Sequence, residues 1–333
     1  SRGLGDVYKR QLLDITGFSR FEVTGPNAER WMNRLFATKL PAPGRARLAV
    51  ALGQDGRLKG DLTLFNWGDG TWWVMGSYYL RRWHMRWFDD HMEDGVSVRD
   101  LGEEMAGFSL SGPNSRAVVE RLTDGPVGDL PFMGCGRFDI GLLRARIGRL
   151  SVTGEAGYEI NCRMGDHIAL RRLLLEAGAD LGIREYGFNS LLSLRLEKSY
   201  GIWSAEFTQG YTPGMTGMDR WIDWEKSGFI GRDAALAERD GNGPAQRLVT
   251  LDVAANGADA SGYEPVWSGD RRVGFVTSGG YGHTVGKSLA MALVDSDLAE
   301  VGTDLSVHIV GIERDTNIIA PSPYDPAGAV MRA

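Results

Sequence analysis

Apolar and polar positions along the chain fall into short alternating runs broken by turn residues, with a few helical stripes between them. Phe18, Phe21 and Val23 lie in a β-prone run that stops at Gly25-Pro26. Asn27 then stands where a helix cap is expected, ahead of an apolar stripe through Trp31 and Leu35. Residues 47–52, 61–67 and 71–75 are three further apolar runs, separated by Asp55-Gly56 and Asp69-Gly70. Asp-Gly between alternating runs is a hairpin signal, so these segments predict an antiparallel meander. Tyr79, Trp83, Trp87 and His91 follow at a spacing of four, the stripe of an amphipathic helix.

The same order of signals returns. A run over 107–110 meets Gly112-Pro113-Asn114 and a helix over 115–122; strands are predicted near 138–142 and 146–152. After Gly154 to Ile160, Asp166 is placed to cap a leucine-rich helix that stops near Gly178, and 189–200 predicts another helix. The two stretches have the look of a duplicated α+β unit. Beyond Gly241-Asn242-Gly243-Pro244 the chain becomes a series of short apolar strands over 247–253, 264–267, 274–277, 289–294 and 305–310. Few helices and even spacing predict a small β-barrel or jelly roll. The division expected is therefore an α+β domain over 12–240 and a β-barrel domain over 241–333. Residues 1–11 lack apolar periodicity and abut Leu12 directly; they read as a non-native tag or assembly remnant, with a native arm as the alternative.

Composition narrows the classes. At 333 residues with 43% hydrophobic and 24% charged positions, the chain has the make-up of an ordinary globular protein with a sizeable core. A net charge of -6 argues against general nucleic-acid or membrane-surface binding, which calls for a basic excess. No apolar stretch approaches the roughly 20 residues that span a bilayer. Cys135 and Cys162 make neither a disulfide framework nor a zinc site, and a reducing cytoplasm is the expected compartment. His84, His91, His167, His283 and His308 lack metal-ligand spacing, so no metal is expected.

Two tempting features have plainer readings. Trp72, Trp73, Trp83 and Trp87 near Arg81, Arg82 and Arg86 imitate a base-stacking surface, but acidic Asp89, Asp90 and Glu93 follow, and core plus a solvated face is expected. Residues 280–288, GYGHTVGKS, imitate a phosphate loop, but Tyr281 stands where the first glycine is required.

Eight segments, in order, resemble one family. LLDITGFSRFEVTGPNAERWMNRL, LGQDGRLKGDLTLF, LSGPNSRAVVERL, RLSVTGEAGYEI, LRLEKSYGIW, YTPGMTGMDRWIDWEKSGFIGRDAA, VGFVTSGGYGHTVGKSLAMALV and PYDPAG are similar to the glycine-cleavage T-protein (aminomethyltransferase) family. The nearest branch is the C-terminal folate domain of dimethylglycine and sarcosine dehydrogenases. The match covers nearly all of the chain from Leu12 onward. It implies an α+β class, three-lobed fold: two α+β lobes and a C-terminal β-barrel around a central folate channel. It also implies a small-molecule pairing of tetrahydrofolate with a methylated amine. The one-carbon unit from an N-methyl amine would be captured as 5,10-methylenetetrahydrofolate. In that branch FAD belongs to a flavin domain upstream, outside this chain, and no G-x-G-x-x-G fingerprint opens the sequence.

Carried over by position, the resemblance assigns Asp61 to the reacting carbon. A carboxylate there stabilises iminium charge, or orients or accepts the N10 proton. Glu159 falls on the pterin-binding glutamate, where one carboxylate accepts both the N3 proton and the 2-amino group. Tyr158, in the same motif, is assigned to the cofactor site with it. The residues alone leave open a solvent-facing strand-start carboxylate for Asp61 and a strand-edge ion-pair partner for Glu159. The T-protein has an asparagine at Gly76, a tyrosine at Val152 and an arginine at Leu191; the last change is shared with the dehydrogenase branch. Other readings are a stand-alone aminomethyltransferase or folate-dependent demethylase, and a non-catalytic folate-binding protein of the iron–sulfur-assembly type. Against the last, Glu197-Lys198-Ser199-Tyr200 lacks the K-G-C-Y-x-G-Q-E signature.

Overall fold

Gly25-Pro26-Asn27 and Gly112-Pro113-Asn114 mark the same turn in two copies of one unit. Both glycines hold φ values that side chains rarely adopt, +113° and +119°. A Cβ at Gly25 would drive into the Gly95 carbonyl, so the turn also needs glycine for space. The computed structural model describes residues 11–333, so the expectation for the initial segment falls outside the described residues except at Gln11. Gln11 already belongs to a strand, β1 (Gln11–Asp14), and pairs with Ser111 and Arg184.

The first copy runs β2 (Ser19–Thr24), α1 (Ala28–Leu35), β3 (Arg45–Leu52), β4 (Leu58–Asn66), β5 (Trp72–Gly76), α2 (Arg81–Asp90) and β6 (Ser97–Asp100). Its sheet has the order β3-β4-β5-β2-β6. The second copy runs β7 (Met105–Ser111), α3 (Ser115–Glu120), β8 (Cys135–Ile140), β9 (Leu143–Gly148), β10 (Gly157–Arg163), α4 (His167–Ala177) and β11 (Arg184–Glu185). Its sheet order, β8-β9-β10-β7-β1-β11, is that of the first with β1 inserted. The duplication faint in the sequence is thus complete in topology.

Each sheet turns one face to its own helices. In the first lobe Phe21, Val23, Leu62, Leu64 and Val74 pack with Trp31, Leu35, Trp87 and Phe88. In the second, Phe108, Leu110, Tyr158, Ile160 and Cys162 pack with Val118, Leu170 and Leu174. Each large apolar side chain so buried contributes about 1.5–3 kcal/mol. The other faces meet one another. A Cβ on Gly148 of β9 would lie 2.7 Å from the Phe65 ring of β4, so glycine there lets the sheets approach. Arg146 lies over Trp67 and Trp73, 4.9 and 4.8 Å from their centroids.

From the second lobe the chain continues through α5 (Phe188–Glu197), α6 (Pro213–Thr216) and α7 (Arg232–Asp240). It then forms β12 (Gln246–Val253), β13 (Pro265–Ser268), β14 (Arg271–Gly282), β15 (Lys287–Asp295), β16 (Asp304–Ile309) and β17 (Ile312–Ile319), with α8 (Ala329–Arg332) near the end. The six strands close as β12-β15-β14-β13-β16-β17, a barrel and not a jelly roll. The α+β class with two lobes and a C-terminal barrel is therefore the observed architecture.

Several local expectations need correction. Asn27 makes no side-chain cap on α1; its amide donates instead to the Asp94 carbonyl at 2.8 Å. Asp166 precedes α4 but its side chain likewise makes no cap bond. α5 ends at Glu197, because Ser199 turns into the left-handed region at φ +53°. β17 has no counterpart in the sequence reading, since Glu313-Arg314-Asp315 breaks its apolar run. A two-residue turn at Val310-Gly311, both at positive φ, folds it back on β16.

Candidate active site

Asp61 and Glu159 stand on the two facing sheet surfaces. On β4, Leu62 and Leu64 enter the helix-side core, so Asp61 and Thr63 point the opposite way, toward the second lobe. On β10, Tyr158 and Ile160 enter their core, and Glu159 and Asn161 point back toward the first lobe. One link between the surfaces is Arg20 of β2. Its Nε donates to Asn161 Oδ1 at 2.8 Å, and its other nitrogens donate to the carbonyls of Ile15, Thr16 and Phe18. Arg20 is wholly buried, and burial lowers its pKa to about 10, with Glu159 and Asp14 opposing the shift.

The two carboxyls share an unusual electrostatic state. Burial pushes Glu159 up to about 7, offset only in part by Arg20. Asp61 keeps some open surface yet is densely surrounded by protein. Burial pushes it up to about 7 as well; its own backbone N–H opposes this and Glu206 adds to it. Among the described residues, no side chain donates a hydrogen bond to either carboxylate. Neutral and ionised forms of both are thus accessible near pH 7, the condition for moving or orienting a proton.

Glu206 is wholly buried and ties this region to the barrel. Its Oε2 accepts from Arg195 Nη1 at 2.9 Å and from the Ile202 N–H at 3.0 Å. Its Oε1 accepts from Thr277 Oγ1 at 2.7 Å and from Ser278 Oγ. Glu197, two residues after Arg195, accepts from the backbone N–H groups of Thr284 and Val285 and so holds the β14–β15 turn. Lys198 donates to the carbonyls of Tyr324 and Asp325, drawing the segment after the barrel onto α5.

The other positions assigned from the sequence are distributed differently. Tyr158 is 1% exposed in the helix-side core of the second lobe, on the face of β10 opposite Glu159. Tyr158 helps line a separate cavity with Pro113, Arg116, Val330 and Ala333. Its side chain therefore does not share a site with Glu159, as strict alternation along β10 requires. Gly76 ends β5 on the face of Phe21 and Val74; a Cβ there would run into Leu62, away from Asp61. Val152 does border the inner face, packed with Leu13, Ile15, Phe18, Tyr186 and Leu191. The two departures Val152 and Leu191 thus meet in one apolar cluster, two polar-to-apolar changes that complement each other.

Three residues near this surface were not singled out from the sequence: Arg20, Tyr186 and Glu206. Arg20 and Glu22 alternate with Phe21 and Val23, a pattern that reads as a solvated strand face until a second sheet covers it. Of the four tryptophans expected to form core plus a solvated face, Trp72, Trp73 and Trp87 are buried and Trp83 is half-buried. Cys135 and Cys162 are buried thiols pushed up to about 12 by burial, which keeps them unreactive.

Comparison with known proteins places this architecture. Residues 8–226 match the GCVT N-terminal domain, and residues 246–325 match the glycine cleavage T-protein C-terminal barrel domain. Aminomethyltransferase of Bacillus subtilis is 30% identical over 90% of this chain and 83% of its own length. The chain belongs to the glycine cleavage T-protein family. Mitochondrial dimethylglycine dehydrogenase of Homo sapiens is 28% identical over 92% of this chain, which spans only 37% of that enzyme's length. The crystal structure of glycine cleavage system aminomethyltransferase T from Bartonella henselae superposes with a TM-score of 0.87 at 23% identity. It covers 96% of this chain and 87% of that one, and bears out the fold. Among the described residues no helix is long and apolar enough to cross a membrane.

Proposed function

We propose that the chain is a tetrahydrofolate-dependent one-carbon transferase that captures the carbon of an N-methyl amine as 5,10-methylenetetrahydrofolate. The observation that carries this reading is Glu159. It is a carboxylate 8% exposed, on the inner face of a sheet, with no donor side chain among the described residues. Such a group is unfavourable unless a ligand brings donors to it. The edge of a pterin, with an N–H and an amino group side by side, does so with two hydrogen bonds. The residues present fit the group in this respect, and the buried hydroxyls of Ser111 and Tyr186, which reach each other and no third group among the described residues, add polar atoms for it.

Bound tetrahydrofolate supplies the amines that accept the one-carbon unit. Glu159 holds and orients it. Asp61, on the facing surface, balances developing positive charge and orients or takes the proton on the accepting nitrogen. Its pKa near neutrality suits that exchange. Holding donor and acceptor between two sheets confers effective molarity and limits hydrolysis of the iminium. Val152 belongs to this reading as part of an apolar wall. The domain division that accompanies it is 12–240 for folate binding and 241–333 for the barrel.

In this reading the chain serves as the folate part of a dimethylglycine- or sarcosine-type enzyme, with FAD held by a covalently joined upstream flavin domain. A reducing, cytoplasmic setting fits its two buried thiols. A second reading, a stand-alone aminomethyltransferase, is favoured by the B. subtilis relative, of which the chain spans 83%. The test is a transfer assay with tetrahydrofolate and two alternative donors: dimethylglycine with a flavin dehydrogenase, or an aminomethyl carrier. Methylenetetrahydrofolate formed from the first supports the proposal, from the second alone supports the other reading, and from neither overturns both.

A further inference from the structure

The inner face of the second sheet carries a pair of buried hydroxyls. Ser111 Oγ and Tyr186 Oη lie within reach of each other, and neither closes a hydrogen bond to any third group among the described residues. Ser111 lies beside Glu159 by the register of the strands, and the Tyr186 hydroxyl, from a residue just past the outer strand β11, reaches Ser111. Ser109 pairs with Glu159 across β7 and β10 and with Leu13 of β1, and Ser111 pairs with Gly157 two residues along. The Tyr186 N–H donates to the Leu12 carbonyl at 3.1 Å, which sets the residue over β1. Its ring packs against the cluster of Leu13, Ile15 and Leu191, which Val152 also borders. Its hydroxyl is held above the usual tyrosine range by burial, which outweighs its contact with the Ser111 hydroxyl, and the negative charge of Glu159 adds to the shift.

We infer that Tyr186, assisted by Ser111, is a specificity residue that donates a hydrogen bond to the carbonyl next to the two-donor edge held by Glu159. The inference rests on the folate reading of Glu159 and extends it. A 4-oxo pterin presents amino group, N–H and carbonyl oxygen in a row, a donor–donor–acceptor edge. Glu159 supplies acceptors for the first two and has nothing to offer the third. A hydroxyl on its flank completes the set, because it is a donor that rotates to suit. Val152 and Leu191 leave no competing polar side chain in the apolar cluster, so the Tyr186 hydroxyl is the polar point on that wall. A ligand with an amino group in place of the carbonyl presents a donor there.

The test is calorimetric titration of the full chain with tetrahydrofolate and with a 2,4-diaminopteridine analogue, for the parent, Tyr186→Phe, Ser111→Ala and Glu159→Ala. Phenylalanine keeps the packing and removes only the hydroxyl. The expected result is that Tyr186→Phe weakens tetrahydrofolate about tenfold and changes the diamino analogue by less than about twofold, the size of one specific hydrogen bond. Ser111→Ala is expected to act in the same sense and less strongly, while Glu159→Ala weakens tetrahydrofolate, whose N3 proton the diamino analogue lacks. Equal effects of Tyr186→Phe on the two ligands, or none on either, overturn the specificity role while leaving Glu159 in place. A parent chain that binds neither ligand overturns the folate reading itself and this inference with it.

Discussion

Arg20 of β2 and Asn161 of β10 are joined by a buried hydrogen bond of 2.8 Å across the two lobes. It connects the sheet that carries Asp61 to the sheet that carries Glu159. Three carbonyls from the turn after β1 take the remaining nitrogens of Arg20, so the inserted strand, the first lobe and the second lobe converge on one guanidinium. Replacing Arg20 with Leu strands these acceptors and removes the positive charge nearest Glu159. The expected loss of stability is about 3–5 kcal/mol, as for other broken buried charge networks, measured by urea denaturation. A loss within about 0.5 kcal/mol, the scale of a neutral surface change, would show that the junction is not structural.

Both carboxyls make stability depend on pH in one direction. Their unfolded values are about 3.9 for Asp61 and 4.3 for Glu159, and their folded values are raised to about 7. The folded state therefore favours the protonated forms. Their stabilising contribution is complete below about pH 4 and is lost as pH rises to about 7. Ligand-free protein is expected to lose thermal stability across that window, and Glu159→Gln to lessen the loss. Asp14 acts oppositely: its pKa is lowered, with bonds from Thr16 and the charge of His167 outweighing burial. Its contribution is present above about pH 3.9 and disappears as pH falls below that, outside the window in question. A Glu159→Gln curve parallel to the parent between pH 4.5 and 7.5 contradicts the buried-carboxyl account.

Asp61→Asn keeps the size of the side chain and removes the carboxylate. Folate affinity is expected to be retained within about threefold, and one-carbon transfer to slow by on the order of 10²-fold, the reach of one acid–base group. The parent rate is expected to change with an inflection near pH 7, where Asp61 titrates. With folate saturating, so that Glu159 is held by its ligand, the variant should lack that inflection. Equal rates in a single-turnover assay would remove Asp61 from the mechanism.

Glu206→Ala leaves Arg195 buried without its carboxylate and frees the hydroxyls of Thr277 and Ser278. The expected cost is again about 3–5 kcal/mol. The barrel should also loosen from α5, visible as faster amide exchange in β14 and β15. Glu206→Gln, which keeps most of the hydrogen bonds, should recover part of the stability. If Ala and Gln behave alike, the ion pair is not what holds the barrel.

Local chemistry carries much of this fold in legible form. The Asp-Gly turns at Gly56 and Gly70 are real positive-φ corners, and the strands they separate pair as a meander. The repeated Gly-Pro-Asn turn marks both copies of the unit. What stayed hidden depends on distant partners. β1 joins a sheet whose nearest strand begins some ninety positions later, and β17 is defined by barrel closure more than by its own apolar pattern. The site divides the same way. Motif position singles out Asp61 and Glu159 as candidates, and alternation alone sends Tyr158 to the opposite face of β10. Arg20 looks solvated until the second sheet covers it, and Tyr186 sits in a loop whose surroundings are set by β1 and α5.

Glu159 is the residue on which the functional account turns, and its contact with the pterin is open to direct measurement. Calorimetric titration of tetrahydrofolate into the parent chain and Glu159→Ala reads it without any transfer step. The account predicts binding by the parent and a loss of at least about 1.5 kcal/mol, more than tenfold, in the variant, the scale of a charge-assisted pair. Unchanged affinity in Glu159→Ala would contradict it.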